Sequence, residues 1–271
     1  MGIKASFSHE ERETIMSSAA SATQVNVIRN SFTEKEVTFY KEEGYLLIRD
    51  LISAQDAALL RRETMDIMAA IGLPMTALRQ TTEYLEGSGL DSLINSPRLL
   101  ALAAQLMGGP STLYMPFTAV KSGGGGGRFH FHQDNNYTRF DGPGINLWFA
   151  LSPMTEENGC LQIAPKSHLK GTLESMASEA GHRKVVNDPK TFTSILMNPG
   201  DCVAFSRLTV HGSCPNVTPE PRVAYAVQFH RNDVKARRED GSYVSLLEKP
   251  RWKTGPVKAI AVPKAEKIEG H

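Results

Sequence analysis

The sequence predicts a mainly β protein of the α+β class, in which N-terminal helices pack on one face of a β sandwich or barrel. Helix-type patterns are confined to about residues 33–110. From 111 to about 235, short β-type runs alternate with turns rich in glycine, proline, asparagine and aspartate, which is typical of a sandwich or barrel rather than of βαβ units. The chain has 271 residues, 41% hydrophobic and 22% charged, a size that suits one β domain.

Helix and strand boundaries follow from capping residues and turns. We predict a tail over 1–30 and one domain over 31–271. In the helical part, the first helix begins after Thr33 with a capping box to Glu36 and ends at Gly44. A short strand over 45–48 follows, then a helix capped by Ser53 and another that runs from Pro97 to the glycines at 108–109. An extended C-terminal tail is expected from about residue 240.

The β-type runs are two-faced. Between 145 and 151, the odd-numbered residues are all apolar, whereas Asn146, Trp148 and Ala150 share the other face. The run over 222–230 alternates in the same way, and Arg222 and Gln228 lie on its mixed face. Either the mixed faces line a cavity or their polar groups face solvent, and the pattern alone favours neither. The other runs span 111–120, 161–163, 193–197 and 202–205.

The composition excludes several classes of function. Lys and Arg total 30 against 29 Asp and Glu, so a net charge of +1 predicts neither nucleic acid nor an acidic membrane surface as a partner. We find no apolar run long enough to span a bilayer. Three cysteines are too few and odd in number for a disulfide framework, so we expect reduced thiols and a cytoplasmic location. A small-molecule substrate and a monomer or homodimer are expected.

Histidine and aspartate residues suggest a metal site. His132 and Asp134 are two apart, so on a strand they share a face with Cα atoms about 6.6 Å apart. His211 completes two histidines and one carboxylate, the set that leaves positions open in non-haem Fe(II) oxygenases. His130 would lie about 13 Å from Asp134 on a regular strand, too far to share the ion, and is expected to pack beside it. Arg222 follows and could bind a substrate carboxylate.

Several motifs occur in a fixed order along the chain: His132-Gln-Asp134, Asn158-Gly-Cys-Leu161 with Pro165 and Ser167-His168, Pro199-Gly-Asp201, and His211-Gly-Ser213 through Asn216 to Arg222. Together they resemble the phytanoyl-CoA dioxygenase family of Fe(II)- and 2-oxoglutarate-dependent oxygenases over about residues 35–235. One departure is Lys166, where the family commonly has glycine.

The resemblance implies a double-stranded β-helix, a jelly roll of the cupin type. It implies that His132, Asp134 and His211 are the iron ligands. Fe(II) would be the metal, with 2-oxoglutarate and O2 as cosubstrates. The remaining implied residues are Arg222 and Ser213 for the distal carboxylate of 2-oxoglutarate, and Lys121 and Trp148 as further cosubstrate contacts. Phe117 lies four residues before Lys121, on the same face of the strand, and is expected to line that pocket and contact substrate.

The residues after the metal motif have two interpretations. Gln133, Asn135, Asn136 and Tyr137 could touch substrate, but turn formation explains the asparagines almost as well. The five glycines at 123–127 predict either a flexible connection or a lid.

The expected activity is oxidation, most simply hydroxylation, of a C–H bond in a small, partly apolar molecule such as a secondary metabolite, with release of succinate and CO2. The alternatives are a cupin-like protein that binds a metal or ligand without turnover, and a metal-dependent hydrolase or isomerase on the same scaffold.

Overall fold

A computed structural model describes residues 23–70, 78–178, 181–250 and 255–256. Within these ranges, four helices precede the main β region. The predicted caps of the first and last are present, whereas the short helix Gly89–Ile94 was not predicted. Thr33 forms the capping box with Glu36, and Gly44 ends the first helix with a φ of +82°. Ser96 caps the last helix, which has proline in its first turn and ends at Gly108. The helices are α1 (Glu34–Glu43), α2 (Ala54–Ala70), α3 (Gly89–Ile94) and α4 (Pro97–Met107).

The strands form two larger sheets and two hairpins. The major sheet has the order β1-β10-β5-β12-β3-β2 and the minor sheet the order β4-β11-β6-β9, with every described pairing antiparallel. The strands are β1 (Tyr45–Ile48), β2 (Leu78–Arg79), β3 (Ser111–Lys121), β4 (Phe129–His132), β5 (Gly144–Ala150), β6 (Leu161–Ile163), β7 (Ser175–Ala177), β8 (Arg183–Val185), β9 (Thr193–Ile195), β10 (Cys202–Ser206), β11 (His211–Ser213), β12 (Arg222–Arg231), β13 (Lys235–Arg237) and β14 (Tyr243–Ser245).

Each face of the major sheet has its own core. On the outer face, Leu147 and Tyr225 pack against helix residues such as Leu102. On the inner face, Trp148 packs with Leu161 and other apolar residues of the minor sheet. The two sheets therefore face one another as a jelly roll, which confirms the predicted fold. Because the mixed faces of β5 and β12 point between the sheets, they line an interior cavity instead of meeting solvent.

The sequence did not predict every packed segment. Residues 1–22 of the predicted tail lie outside the described part of the chain, but Val25 and Val27 are buried against the helices. The backbone N–H of Ile28 also donates to the carbonyl of Leu51. Part of the expected C-terminal tail forms a hairpin, since β14 pairs with β13. In both segments, contacts with the rest of the protein fix the structure, and the run of apolar residues is too short for its periodicity to be seen in the sequence.

The glycine run connects β3 to β4. The N–H groups of Gly124 and Gly125 donate to the carbonyls of Thr218 and Asn216. A Cβ on Gly123 would lie 2.0 Å from the carbonyl oxygen of Pro219. The run is thus hydrogen-bonded to the 216–218 segment, and its close approach requires glycine at 123.

No helix in the described ranges is both long enough and apolar enough to cross a bilayer.

Candidate metal centre

The three predicted ligands converge between the two sheets. His132 ends β4 and His211 begins the neighbouring β11, where the two are directly paired. Asp134 lies in a short 3-10 turn (Asp134–Asn136) that follows β4. Its Oδ1 atom is 3.9 Å from Nε2 of His132 and 3.7 Å from Nε2 of His211. The turn, rather than the regular strand we expected, brings the carboxylate to the histidines.

Backbone carbonyls orient both imidazoles. Nδ1 of His132 is 2.8 Å from the carbonyl oxygen of His130, and Nδ1 of His211 is 2.9 Å from that of Thr209. Because a carbonyl only accepts, each Nδ1 carries the proton and each Nε2 presents a lone pair. Burial lowers the pKa of His132 to about 3, so this imidazole is neutral at pH 7. His130 thus contributes through its backbone.

Asp134 is held by neighbouring amides and a cation. Its Oδ2 atom accepts from Nε2 of Gln228 at 2.9 Å and from Nδ2 of Asn146 at 3.4 Å. Burial by itself would raise the pKa of Asp134, but the nearby His211 and Arg207 lower the pKa below its ordinary value. The carboxylate is therefore ionised at neutral pH, with Oδ1 turned toward the two Nε2 atoms.

These donors fit a bound Fe(II) ion. In the part of the chain that the structure describes, two imidazole nitrogens and one carboxylate oxygen lie within 4.8 Å of one another and could together bind a metal ion. That set is the facial arrangement typical of non-haem Fe(II) oxygenases, because it leaves positions open for a cosubstrate and O2. A structural zinc site would normally close with a fourth protein ligand.

The ligands line a cavity of about 480 Å³, within the range of small-molecule sites. Five other predicted residues also line it: Phe117, Lys121, Trp148, Ser213 and Arg222. The structure therefore brings together the predicted metal ligands and every residue that the resemblance implied for the cosubstrate.

Two buried basic side chains lie opposite one another in this cavity. Arg222 and Lys121 are partners across β12 and β3 and are 3% and 0% exposed. Arg222 donates to the carbonyls of Gly159 at 2.9 Å and Ala119 at 3.1 Å, and its guanidinium lies 5.0 Å from the Trp148 ring centroid. The Lys121 ammonium donates to the carbonyl of Cys214.

Neither basic side chain forms an ion pair with a described carboxylate. Burial lowers the pKa of Arg222 to about 10, so the guanidinium is a buried cation at pH 7. Burial, and then repulsion from Arg222, lowers the pKa of Lys121 to about 6, so this side chain is mostly neutral at pH 7 and would regain its charge beside a bound anion. This end of the cavity therefore suits an anion.

Three predicted substrate contacts lie elsewhere. Gln133 is fully buried, donates to the carbonyls of residues 171 and 208, and accepts from the N–H of Leu173. Asn135 bonds to Thr172 and to the backbone of residue 140, and Asn136 bonds to the backbone of residues 133 and 173. None of the three lines the cavity. Their amides instead anchor the turn that carries Asp134, which matches the turn-forming alternative.

Sequence reasoning missed several residues of the site. Gln228 and Asn146 lay on the predicted mixed faces, but their convergence on Asp134 depends on the register of β5 and β12. Arg207 follows β10 in an irregular segment with no local pattern. His182 also lines the cavity, and the sequence did not indicate a role for it. Tyr137, which the sequence did suggest as a substrate contact, lines the cavity as well.

Comparisons with known proteins agree with this geometry. Residues 40–224 match the family described as phytanoyl-CoA dioxygenase. A methylphosphonate hydroxylase of Gimesia maris is 27% identical over 208 residues, which cover 72% of this chain and 79% of that protein. The human peroxisomal phytanoyl-CoA dioxygenase is 26% identical over 256 residues, covering 80% of this chain and 75% of that protein.

A solved structure supports the fold. The chain is similar to EvdO2 from Micromonospora carbonacea var. aurantiaca, solved in complex with 2-oxoglutarate, with a TM-score of 0.63 and 20% identity. The match covers 79% of this chain and 93% of that one.

Proposed function

The chain belongs to the phytanoyl-CoA dioxygenase family of Fe(II)- and 2-oxoglutarate-dependent oxygenases, and from this premise we propose that it hydroxylates a C–H bond of a small, partly apolar organic molecule. The observation that carries the proposal is the juxtaposition, in one cavity, of the His132, Asp134 and His211 ligand atoms with the buried basic side chains of Arg222 and Lys121. A metal site alone would also suit a hydrolase, but 2-oxoglutarate requires a second site in the same cavity for its distal carboxylate.

The three ligand residues and the two basic residues bind different parts of the reacting system. The chemistry that bound iron supplies is oxidative decarboxylation of 2-oxoglutarate by O2, which yields succinate and CO2 and oxidises a substrate C–H bond. His132, Asp134 and His211 hold the ion. Arg222 binds the distal carboxylate of 2-oxoglutarate through its guanidinium, and Lys121, opposite Arg222, adds positive charge at this end of the cavity when it is protonated.

The cavity walls position the organic substrate and exclude water. Phe117 and Phe129 line the cavity together with His182, and the rings of Phe129 and His182 lie 4.6 Å apart. Tyr137 contacts the His132 ring edge-on at 5.6 Å between centroids. An aromatic wall next to the ligands favours a partly apolar molecule, because it replaces water around the reacting C–H bond with apolar surface.

The proposed setting of the enzyme follows from its cysteines and charge. Cys160, Cys202 and Cys214 are free thiols, which supports a reducing compartment such as the cytoplasm. The near-zero net charge supports a small-molecule substrate rather than nucleic acid. We propose a monomer or homodimer.

Succinate formation tests the proposal. Purified protein with Fe(II), 2-oxoglutarate and O2 is screened against small organic molecules, and succinate and O2 are measured together. We expect a slow basal yield of succinate that rises with a substrate and is lost in Asp134→Ala. Ligand binding without O2 consumption would instead support a binding protein, and turnover under anaerobic conditions with zinc or nickel would support a hydrolase or isomerase.

A further inference from the structure

We propose that Gln228 and Arg207 form a positioning pair that fixes the Asp134 carboxylate with one oxygen presented to the metal, an inference that rests on the proposed function. Neither residue belongs to the ligand set or to the Arg222–Lys121 anion site. Both are buried, with 2% of Gln228 and 3% of Arg207 exposed. Burying a guanidinium and an amide so close to a metal site is costly unless each is bonded in a definite arrangement.

Gln228 determines which oxygen of Asp134 remains available. Its Nε2 donates to Oδ2 at 2.9 Å, while Oδ1 faces the two histidine Nε2 atoms. Asn146, its partner across β5 and β12, adds a longer contact of 3.4 Å to the same Oδ2 atom. Because both amides bond Oδ2, rotation of the carboxylate about its C–C bond would break the Gln228 hydrogen bond. The carboxylate is therefore held for ligation through Oδ1 alone.

Arg207 holds Gln228 in turn. Its Nη1 donates to Oε1 of Gln228 at 3.0 Å. That bond fixes the orientation of the Gln228 amide, because the oxygen must face the guanidinium and the nitrogen must face Asp134. The Nη2 atom donates to the backbone carbonyls of Asp134 at 3.0 Å and Thr138 at 3.1 Å. Arg207 thus anchors the turn that carries the ligand as well as the amide that orients it.

The Arg207 side chain is enclosed by two aromatic rings and a glycine. The guanidinium lies over the Phe140 ring at 4.1 Å and the Tyr114 ring at 5.2 Å from their centroids. A Cβ on Gly144 would lie 2.3 Å from Cδ of Arg207 and 3.0 Å from the Phe140 ring. A side chain at position 144 would therefore collide with the aliphatic part of Arg207, so glycine leaves the space that this side chain occupies. A cation enclosed in this way has little freedom to move, as a positioning role requires.

Metal affinity in matched variants tests the pair. Gln228→Met keeps the side-chain length but removes the amide, and Arg207→Lys keeps the charge but cannot make both sets of bonds. Gln162→Met makes the same change at a β6 residue whose amide contacts Cys214 instead of a ligand. Cobalt(II) binding to the metal-free proteins is measured by calorimetry and by the visible cobalt spectrum, and thermal unfolding of the metal-free proteins is recorded in parallel.

We expect Gln228→Met and Arg207→Lys each to weaken cobalt binding by about 10- to 100-fold, the usual effect of losing an outer hydrogen-bond partner of a metal ligand, and to change the cobalt spectrum. The double variant should bind cobalt only slightly less tightly than the more affected single variant, because both substitutions act on the same carboxylate. Gln162→Met should bind like the unmodified protein.

Two results would overturn the inference. Unchanged cobalt affinity and spectrum in both variants, even with a lower unfolding temperature, would show that the pair has only a structural role. If Gln228→Met does not fold, Arg207→Lys gives the same comparison. If the unmodified protein binds no cobalt, the proposed metal site itself is refuted, and the inference with it. This outcome is separate from the first one, because it is seen before any variant is compared.

Discussion

Replacing Arg222 by glutamine should weaken 2-oxoglutarate binding without removing the metal. Arg222 is buried, is bonded to two backbone carbonyls and lies over Trp148. Its remaining donors are the ones we assign to the distal carboxylate. Glutamine keeps a polar side chain that can donate to one of the carbonyls, so the fold is expected to persist. The hydrogen bonds of Arg222 go to the Gly159 and Ala119 carbonyls and not to His132, Asp134 or His211, so metal affinity should change little.

The expected size of the effect follows from the burial of the site. Losing one partner of a buried, hydrogen-bonded charge pair costs about 2–5 kcal/mol. Part of this loss is offset, because Arg222 is one of the groups that lower the pKa of Lys121. In the variant, Lys121 stays protonated to a higher pH and holds the dianion better. A net loss of about 2.8 kcal/mol corresponds to about a 100-fold higher Kd.

Calorimetric titration with 2-oxoglutarate in the absence of O2, on iron-loaded protein at pH 7, measures this Kd. Quenching of Trp148 fluorescence gives a second estimate, since its ring contacts the guanidinium. Arg238→Gln is the matched control, because Arg238 is exposed at the end of the β13–β14 hairpin. An unchanged Kd in Arg222→Gln, with metal still bound, would refute the assignment of the buried basic side chains to the cosubstrate.

Three further predictions concern the anion site and the fold. Because the pKa of Lys121 is lowered to about 6 in the free protein and a bound dianion raises it, 2-oxoglutarate binding should take up a proton above pH 6. Its affinity should then fall as the pH rises from 6, and calorimetry in buffers of different ionisation enthalpy checks this, with Lys121→Met abolishing the uptake. Gly159→Ala should raise the KM for 2-oxoglutarate with less effect on metal affinity. The φ of Gly159 is +74°, and a Cβ there would lie 2.2 Å from the Cys214 carbonyl oxygen and 3.1 Å from the Lys121 side-chain nitrogen. A KM equal to that of the unmodified protein would contradict this account. Asp201→Asn should lower the free energy of unfolding by about 2 kcal/mol and the Tm by about 5 °C, because the carboxylate accepts from the N–H groups of Asp50 and Asn198; an unchanged Tm in a thermal melt would contradict it.

Local chemistry made much of the fold predictable. The capping box at Thr33, the αL glycine at 44 and the Ser96-Pro97 start are short-range features, and each marks a real helix end. The alternation in β5 and β12 also predicted two faces. It could not show whether the mixed face meets water or a cavity, because that depends on the minor sheet that packs across it.

The site itself was predictable where its residue types are restrictive. A His-x-Asp pair alone is common, but His132, Asp134 and His211 stand in motifs whose order and spacing resemble a known family, so the candidate ligands could be proposed from sequence. Gln133 is the opposite case. Its position beside the ligands suggested a substrate contact, but a fully buried amide must have partners, and the nearest ones are backbone groups of neighbouring loops.

The remaining site residues depend on long-range register. Arg207 and Gln228 are brought to Asp134 only when β10, β5 and β12 are aligned. Nothing within a few residues of Arg207 distinguishes it from a surface arginine. Residues whose role comes from distant partners require the folded structure before they can be assigned.

Anaerobic titration of the metal-free protein with Fe(II) and then 2-oxoglutarate tests the central claim most directly. Chelation of iron by 2-oxoglutarate at a site formed by His132, Asp134 and His211 should produce a visible metal-to-ligand charge-transfer band, absent with either component alone and absent in His132→Ala. In Arg222→Gln the band should appear only at higher 2-oxoglutarate concentration. Iron that binds to the unmodified protein without producing the band at any 2-oxoglutarate concentration would contradict the account.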